Sequence, residues 1–173
     1  MVGPLLERVR RNHALEHATV SVLLSRLGPT VRLVGRATPD GFYIYGNVPT
    51  EELTAAVQEG LARMRRGESH LAVTPLCGTN IAVAGLLAGL ASVLAMGGGN
   101  RANRLPNAMT AAMLAVVAAQ PLGRLVQKYV TTSPDLADVE VAEIRRGPSP
   151  EGRGGFGLGP YHKVRTRWTT SRA

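Results

Sequence analysis

The sequence predicts an α+β fold: a small mixed sheet packed on an N-terminal helix, with a two-helix transmembrane hairpin inserted before the last strand. Three observations carry this prediction. Apolar residues recur at helical spacing from about Leu5 to Leu27. Short runs rich in β-branched and aromatic residues follow, bounded by turn residues. No Asp, Glu, Lys or Arg then occurs between Glu68 and Arg101, and a second uncharged run extends from Leu105 to Gly123.

Taken in order, the first helix stops at Gly28-Pro29, a glycine that can turn left-handed followed by a residue that cannot continue a helix. "VRLVGR" (Val31–Arg36) and "GFYIYG" (Gly41–Gly46) are expected as strands joined by the turn "TPDG" (Thr38–Gly41). "VPTEELTAAVQEGLARMRRG" is expected as a helix with Thr50 as N-cap and basic residues before Gly67. "HLAVT" (His70–Thr74) is expected as a short strand stopped by Pro75. "ADVEVAEIRR" (Ala137–Arg146) is expected as a returning strand. The domain boundaries follow: an α/β region over 1–78, the hairpin over 79–128, the returning strand within 129–146, and a basic, disordered tail over 147–173 rich in glycine and proline.

A bilayer span needs about 20 apolar residues, with a range of roughly 17 to 25. Both uncharged runs are near the short end of that range. Gly85 and Gly89 make a G-x-x-x-G spacing that suits close helix packing in lipid. The alternative is a buried, alanine-rich hairpin in a soluble protein. Arg101 and Arg104 lie between the runs, against Arg63, Arg65, Arg66, Arg124 and Lys128 outside them. That bias places the chain in the cell membrane with both termini in the cytoplasm. Glu7, Arg8, Arg10 and Arg11 interrupt any apolar stretch at the N-terminus, so no signal peptide is expected. The formal net charge of +8 suits an anionic lipid surface, which Arg153, Lys163, Arg165, Arg167 and Arg172 of the tail would meet. A solvated tail without a partner is the alternative. Aromatics are 4% of residues, which argues against a base-stacking nucleic-acid surface. Cys77 is the sole cysteine, so no intrachain disulfide forms.

The chemistry concentrates in "NHALEHATV" (Asn12–Val20). On a helix at about 100° per residue, Leu6, Val9, His13, Glu16, His17, Val20, Leu24 and Leu27 share an arc of roughly 100°, the width of a buried stripe. Arg8, Arg11 and Arg26 point the other way. A buried carboxylate beside two imidazoles needs compensation. A metal ion can supply it, or a self-satisfied structural cluster, or a wet cleft. Histidines at i and i+4 can ligate one ion, and the intervening glutamate can serve a bound water as general base or act as a ligand itself. H-x-x-E-H is also the inverted zinc-peptidase pattern. Cys77, in "TPLCGTN", is the third candidate ligand. It would stand just before a helix capped by Thr79 or Asn80, where the helix dipole favours thiolate. The plain alternative is a small packing residue. His70, Glu68, Glu51, Glu52 and Asp40 are lesser candidates.

"HALEHAT" followed by "PLCGT" resembles the YqhQ-like bacterial membrane proteins, a family described as metal-dependent enzymes. Their pattern is close to H-G-A-E-H-K-T and, downstream, H-P-R-C-G-T. The full "NHALEHATV…LCGTN" is also similar to a domain-of-unknown-function family from cyanobacteria and Chloroflexi. The resemblance implies metal-site roles for His13, Glu16, His17 and Cys77, with Thr19, Pro75, Gly78 and Thr79 as framework. The chain departs from the YqhQ-like pattern at Ala18, Thr74 and Leu76, where that pattern has lysine, histidine and arginine. If that histidine is a ligand, His70 would have to replace it.

These readings combine into a membrane-anchored zinc-dependent hydrolase, most plausibly acting on peptides, with His13, His17 and Cys77 as ligands and Glu16 as the base. The competing expectation is a non-catalytic membrane subunit or assembly protein with a structural His/Glu/Cys cluster and a protein partner. A third is Cys77 as nucleophile with a histidine base.

Overall fold

The computed structural model describes residues 2–97, 101–147 and 160–169. The elements run α1 (Val2–Leu27), β1 (Val34–Thr38), β2 (Gly41–Tyr45), α2 (Thr50–Arg65), a 3-10 turn (Ser69–Ala72), α3 (Gly78–Met96), α4 (Arg101–Val126) with a π-helical extension (Gln127–Thr131), β3 (Val139–Gly147) and β4 (Tyr161–Trp168). They fall into two compact units, one of residues 1–73 with 131–173 and one of 74–130.

In the first unit the sheet order is β1-β2-β4-β3. All three pairings are antiparallel, so the sheet is not mixed. One sheet face carries Phe42, Ile44, Val139 and Val164, each fully buried. The other half of this core is Ala14, Leu15, Ala18, Val22 and Leu23 of α1 with Leu53, Ala56 and Val57 of α2. Burying one such Leu, Ile, Val or Phe side chain stabilises by about 1.5–3 kcal/mol. Gly60 lets α1 and α2 approach, since a Cβ there would meet the backbone carbon of Ala18 at 3.2 Å. Gly28, with φ of 86°, ends α1 as expected, its N–H donating to the Leu24 carbonyl at 3.0 Å. The opposite sheet face holds Tyr43, Tyr45 and Tyr161, with Lys163 Nζ 4.1 Å from the Tyr43 ring centre.

Several expectations are corrected. The apolar stripe of α1 is shifted: Leu6 is exposed, and the helix is buried nearly all round from Ala14 to Thr19. "HLAVT" is no strand, because Ser69–Ala72 turns as a 3-10 helix after the left-handed Gly67. Thr50 does not cap α2. Pro49 takes the N-cap position, and the Thr50 hydroxyl pairs with His162 Nε2 at 3.0 Å. The tail read as disordered contains β4, a central strand. Its alternation of buried and exposed residues, "YHKVRTRW", is a clean period of two hidden by the glycine-rich sequence before it. Residues 148–159 and 170–173 of that tail lie outside the described residues.

In the second unit α3 and α4 pack along each other. Both are long and apolar enough to cross a membrane: Gly78–Met96 with 19 residues and Arg104–Thr131 with 28. Ile81, Leu86, Val93 and Leu94 on α3 and Met113, Leu114 and Val117 on α4 are exposed. The G-x-x-x-G spacing does not make the seam. Gly85 and Gly89 are exposed, with no described atom within 4 Å of where a Cβ would lie. The close approach is at Gly123, where a Cβ would overlap the Asn80 amide oxygen and sit 3.0 Å from its Cγ. Asn80 and buried Gln127 form a polar clamp there. Gln127 Nε2 donates to Asn80 Oδ1 at 2.8 Å, and Gln127 Oε1 accepts from the Thr74 N–H at 2.9 Å. Asn80 Nδ2 donates to the Pro75 carbonyl at 2.9 Å and to that of Thr74 at 3.3 Å.

Candidate metal centre

His13, Glu16 and His17 lie at i, i+3 and i+4 on α1, so their side chains leave one face of the helix. His13 Nδ1 is 2.9 Å from the Thr131 carbonyl oxygen, and His17 Nδ1 is 2.7 Å from that of Ala72. A carbonyl oxygen only accepts, so each Nδ1 carries the proton and donates it. In a neutral imidazole, the form that binds metals, that leaves Nε2 as the electron-pair nitrogen. Backbone acceptors of this kind orient ligand histidines in metal proteins. The two rings do not stack: their centres are 4.3 Å apart and their planes meet at 62°.

Glu16 Oε2 is 3.8 Å from Nε2 of His13 and 3.8 Å from Nε2 of His17. That separation is longer than a hydrogen bond, so the carboxylate faces both imidazoles without closing on either. Cys77 is the N-cap of α3. Its sulfur accepts from the Thr79 N–H at 3.4 Å and its thiol reaches Thr79 Oγ1 at 3.3 Å. The expected cap at Thr79 or Asn80 is therefore replaced by the cysteine itself. His13 and His17 belong to the first compact unit and Cys77 to the second. Glu16, His17 and Cys77 are buried, and the His13 side chain is 17% exposed, which leaves an approach on its side. Imidazole nitrogen and cysteine sulfur are both donor types that zinc accepts.

Among the described residues, the lesser candidates stand outside this group. His70 is exposed on the 3-10 turn. Asp40 accepts from Lys163 and Thr38, which hold its carboxyl below the usual aspartate range. Glu68 is engaged by Arg63 and Glu52 by Arg26. At the position of the YqhQ-like histidine, the Thr74 N–H joins the Gln127 clamp.

Sequence reasoning missed what holds the cluster: the carbonyls of Ala72 and Thr131, the Asn80–Gln127 clamp, and Gly35, which lies against Glu16. One signal was available: an isolated glycine in a strand run marks a close approach.

Residues 8–144 match the domain of unknown function DUF6391. The chain belongs to the DUF6391 family. It is also 37% identical to an uncharacterised protein of Picosynechococcus sp. (strain ATCC 27264 / PCC 7002 / PR-6), over 92% of this chain and 80% of that one. No solved structure matches the chain. The DUF6391 match spans His13, Glu16, His17, Cys77 and both apolar helices, and ends before β4.

Proposed function

We propose that this DUF6391 chain is a membrane-anchored metal-binding protein, that the metal is zinc held by His13, His17 and Cys77, and that the site is hydrolytic. The observation that carries the reading is the pair of imidazoles. Each sets its Nδ1 against a backbone carbonyl from one face of α1, which supports Nε2 as the ligating nitrogen of both, and the "PLCGT" motif supplies Cys77 as the third ligand. A structural His/Glu/Cys cluster would make the same hydrogen bonds to backbone carbonyls, and metal content separates the two readings. The two-motif likeness to YqhQ-like proteins supports the same reading.

A bound zinc ion supplies Lewis acidity and brings the pKa of its water toward neutrality. The chain's own residues do the rest. Cys77 enters as thiolate, favoured by its N-cap place on α3. Glu16, beside both histidines, takes the proton from the attacking water and returns it to the leaving group. A peptide-type substrate is the class that the H-x-x-E-H arrangement suits.

The test is elemental analysis of the full chain purified in detergent, beside a His13→Ala, His17→Ala double variant. About one zinc per chain in the wild type and its loss in the variant is expected, since removing both imidazoles takes two of three protein ligands. Wild-type protein without transition metal overturns the reading.

A further inference from the structure

We propose that Gly35 is a positioning residue for Glu16: a strand glycine whose missing side chain forms the seat for the carboxylate facing His13 and His17. Gly35 stands inside β1, directly opposite Ile44. Opposed residues of an antiparallel pair point to the same sheet face, and Ile44 is fully buried. Gly35 therefore faces the core side, where β1 meets α1.

Nothing in the backbone asks for glycine here. The left-handed glycines are Gly28, Gly41, Gly46 and Gly67, and Gly35 is not among them. A glycine inside a strand weakens it, so its presence needs another cause. Space is that cause. A Cβ on Gly35 would fall within the Glu16 carboxyl group and 2.8 Å from Glu16 Cγ. Three atoms of one side chain are involved, so a swing of the tip alone does not clear the clash. Glu16 is itself 6% exposed, and its helix neighbours Leu15, His17 and Ala18 are buried, which leaves little room for another rotamer. The two carboxyl oxygens divide the work. Oε1 is the atom nearest to where that Cβ would lie, while Oε2 is the one facing both imidazoles. The β1 backbone thus sets the direction in which Glu16 presents its charge.

The role assigned to Glu16 rests on the metal reading above; the seat itself does not. The experiment uses the full chain in detergent as wild type, Gly35→Ala, Glu16→Ala and the double variant, read by thermal midpoint and by the visible spectrum after loading with cobalt(II). Gly35→Ala alone is expected to lower the midpoint by roughly 5–10 °C. Adding Glu16→Ala recovers most of that loss, because the new methyl enters vacated space. In the cobalt spectra, Gly35→Ala moves the bands in the same direction as Glu16→Ala, and the double variant adds nothing further. A double-variant midpoint equal to the sum of the two single losses overturns the proposal. So does a Gly35→Ala spectrum identical to wild type. If Gly35→Ala does not fold, the double variant decides: folding supports the seat, and failure overturns it. If the wild type takes up no cobalt, the metal reading fails and the midpoints alone decide the seat.

Discussion

His13 and His17 each set a ring Nδ1 against a backbone carbonyl, and the Glu16 carboxylate faces both rings from 3.8 Å. Helical spacing put His13, Glu16 and His17 on one face of α1, and they do share it in the structure; Cys77 is the further ligand the sequence proposes. Their supports were not legible, because a backbone carbonyl has no letter and Gly35 is far from α1 in sequence. If Glu16 is the base of the proposed site it is not a ligand there, and its Oε2 lies 3.8 Å from both Nε2 atoms. Glu16→Gln is therefore expected to keep the metal, since it keeps shape and removes only charge. It is expected to lower hydrolysis by about 10²–10⁴-fold. Metal analysis and a peptide-hydrolysis assay on the same preparation check this; loss of zinc from Glu16→Gln would make the residue a ligand and sink the base role.

At the scale of elements, α1, α2 and the β1–β2 hairpin were legible because period and punctuation agreed, whereas β4 was hidden by the composition around it. The polar clamp was hidden by the opposite effect: Asn80 and Gln127 look like ordinary ends of apolar runs, and only the fold shows them bonded to each other and to the loop that leads to Cys77. Gln127→Leu leaves the Thr74 N–H and the Asn80 side chain without these partners. Supporting residues of this kind typically hold a 10–100-fold effect on metal affinity, so zinc affinity measured by competition with a chelator is expected to fall by about that much. An unchanged affinity would disconnect the clamp from the site. His162 on β4 carries a pH-dependent contribution. It is fully buried, with Nε2 on Thr50 and, among the described residues, no partner for Nδ1. Burial, aided by Arg146 and opposed by Glu51, holds its pKa below the usual histidine value of 6.5. The unfolded chain therefore binds the proton first as pH falls. The stabilisation is complete above about pH 6.5 and declines from there down through the folded pKa. Thermal midpoints of His162→Gln are expected to fall less steeply than wild type between pH 7 and pH 5; parallel curves would remove His162 from the pH response.

At the scale of the whole molecule, the sequence suggests a sheet-forming part and an uncharged hairpin over 79–128, and the compact units are residues 1–73 with 131–173 and residues 74–130. It misjudged the seam within the uncharged unit. A G-x-x-x-G spacing reports only that two small residues share a helix face, not which neighbour that face meets. Gly85 and Gly89 face outward, and Gly123 makes the close approach. Outward large apolar residues along both helices are costly in water and stable in lipid. Membranes washed with alkaline carbonate are therefore expected to retain the full chain until detergent is added; release by carbonate alone would make the hairpin peripheral. Orientation follows from charge. Arg101 stands between the candidate spans and Arg104 is the first residue of the second, while Arg63, Arg65 and Arg66 precede the first and Lys128 lies in the last turn of the second. The excess of basic residues outside the loop favours cytoplasmic termini. In a Cys77→Ser background, a cysteine placed at Asn100 is expected to react with an impermeant thiol reagent added outside intact cells, and one placed at Ser171 only after permeabilisation. The reverse pattern of labelling would turn the chain over and move α1, with His13 and His17, to the outer side of the membrane.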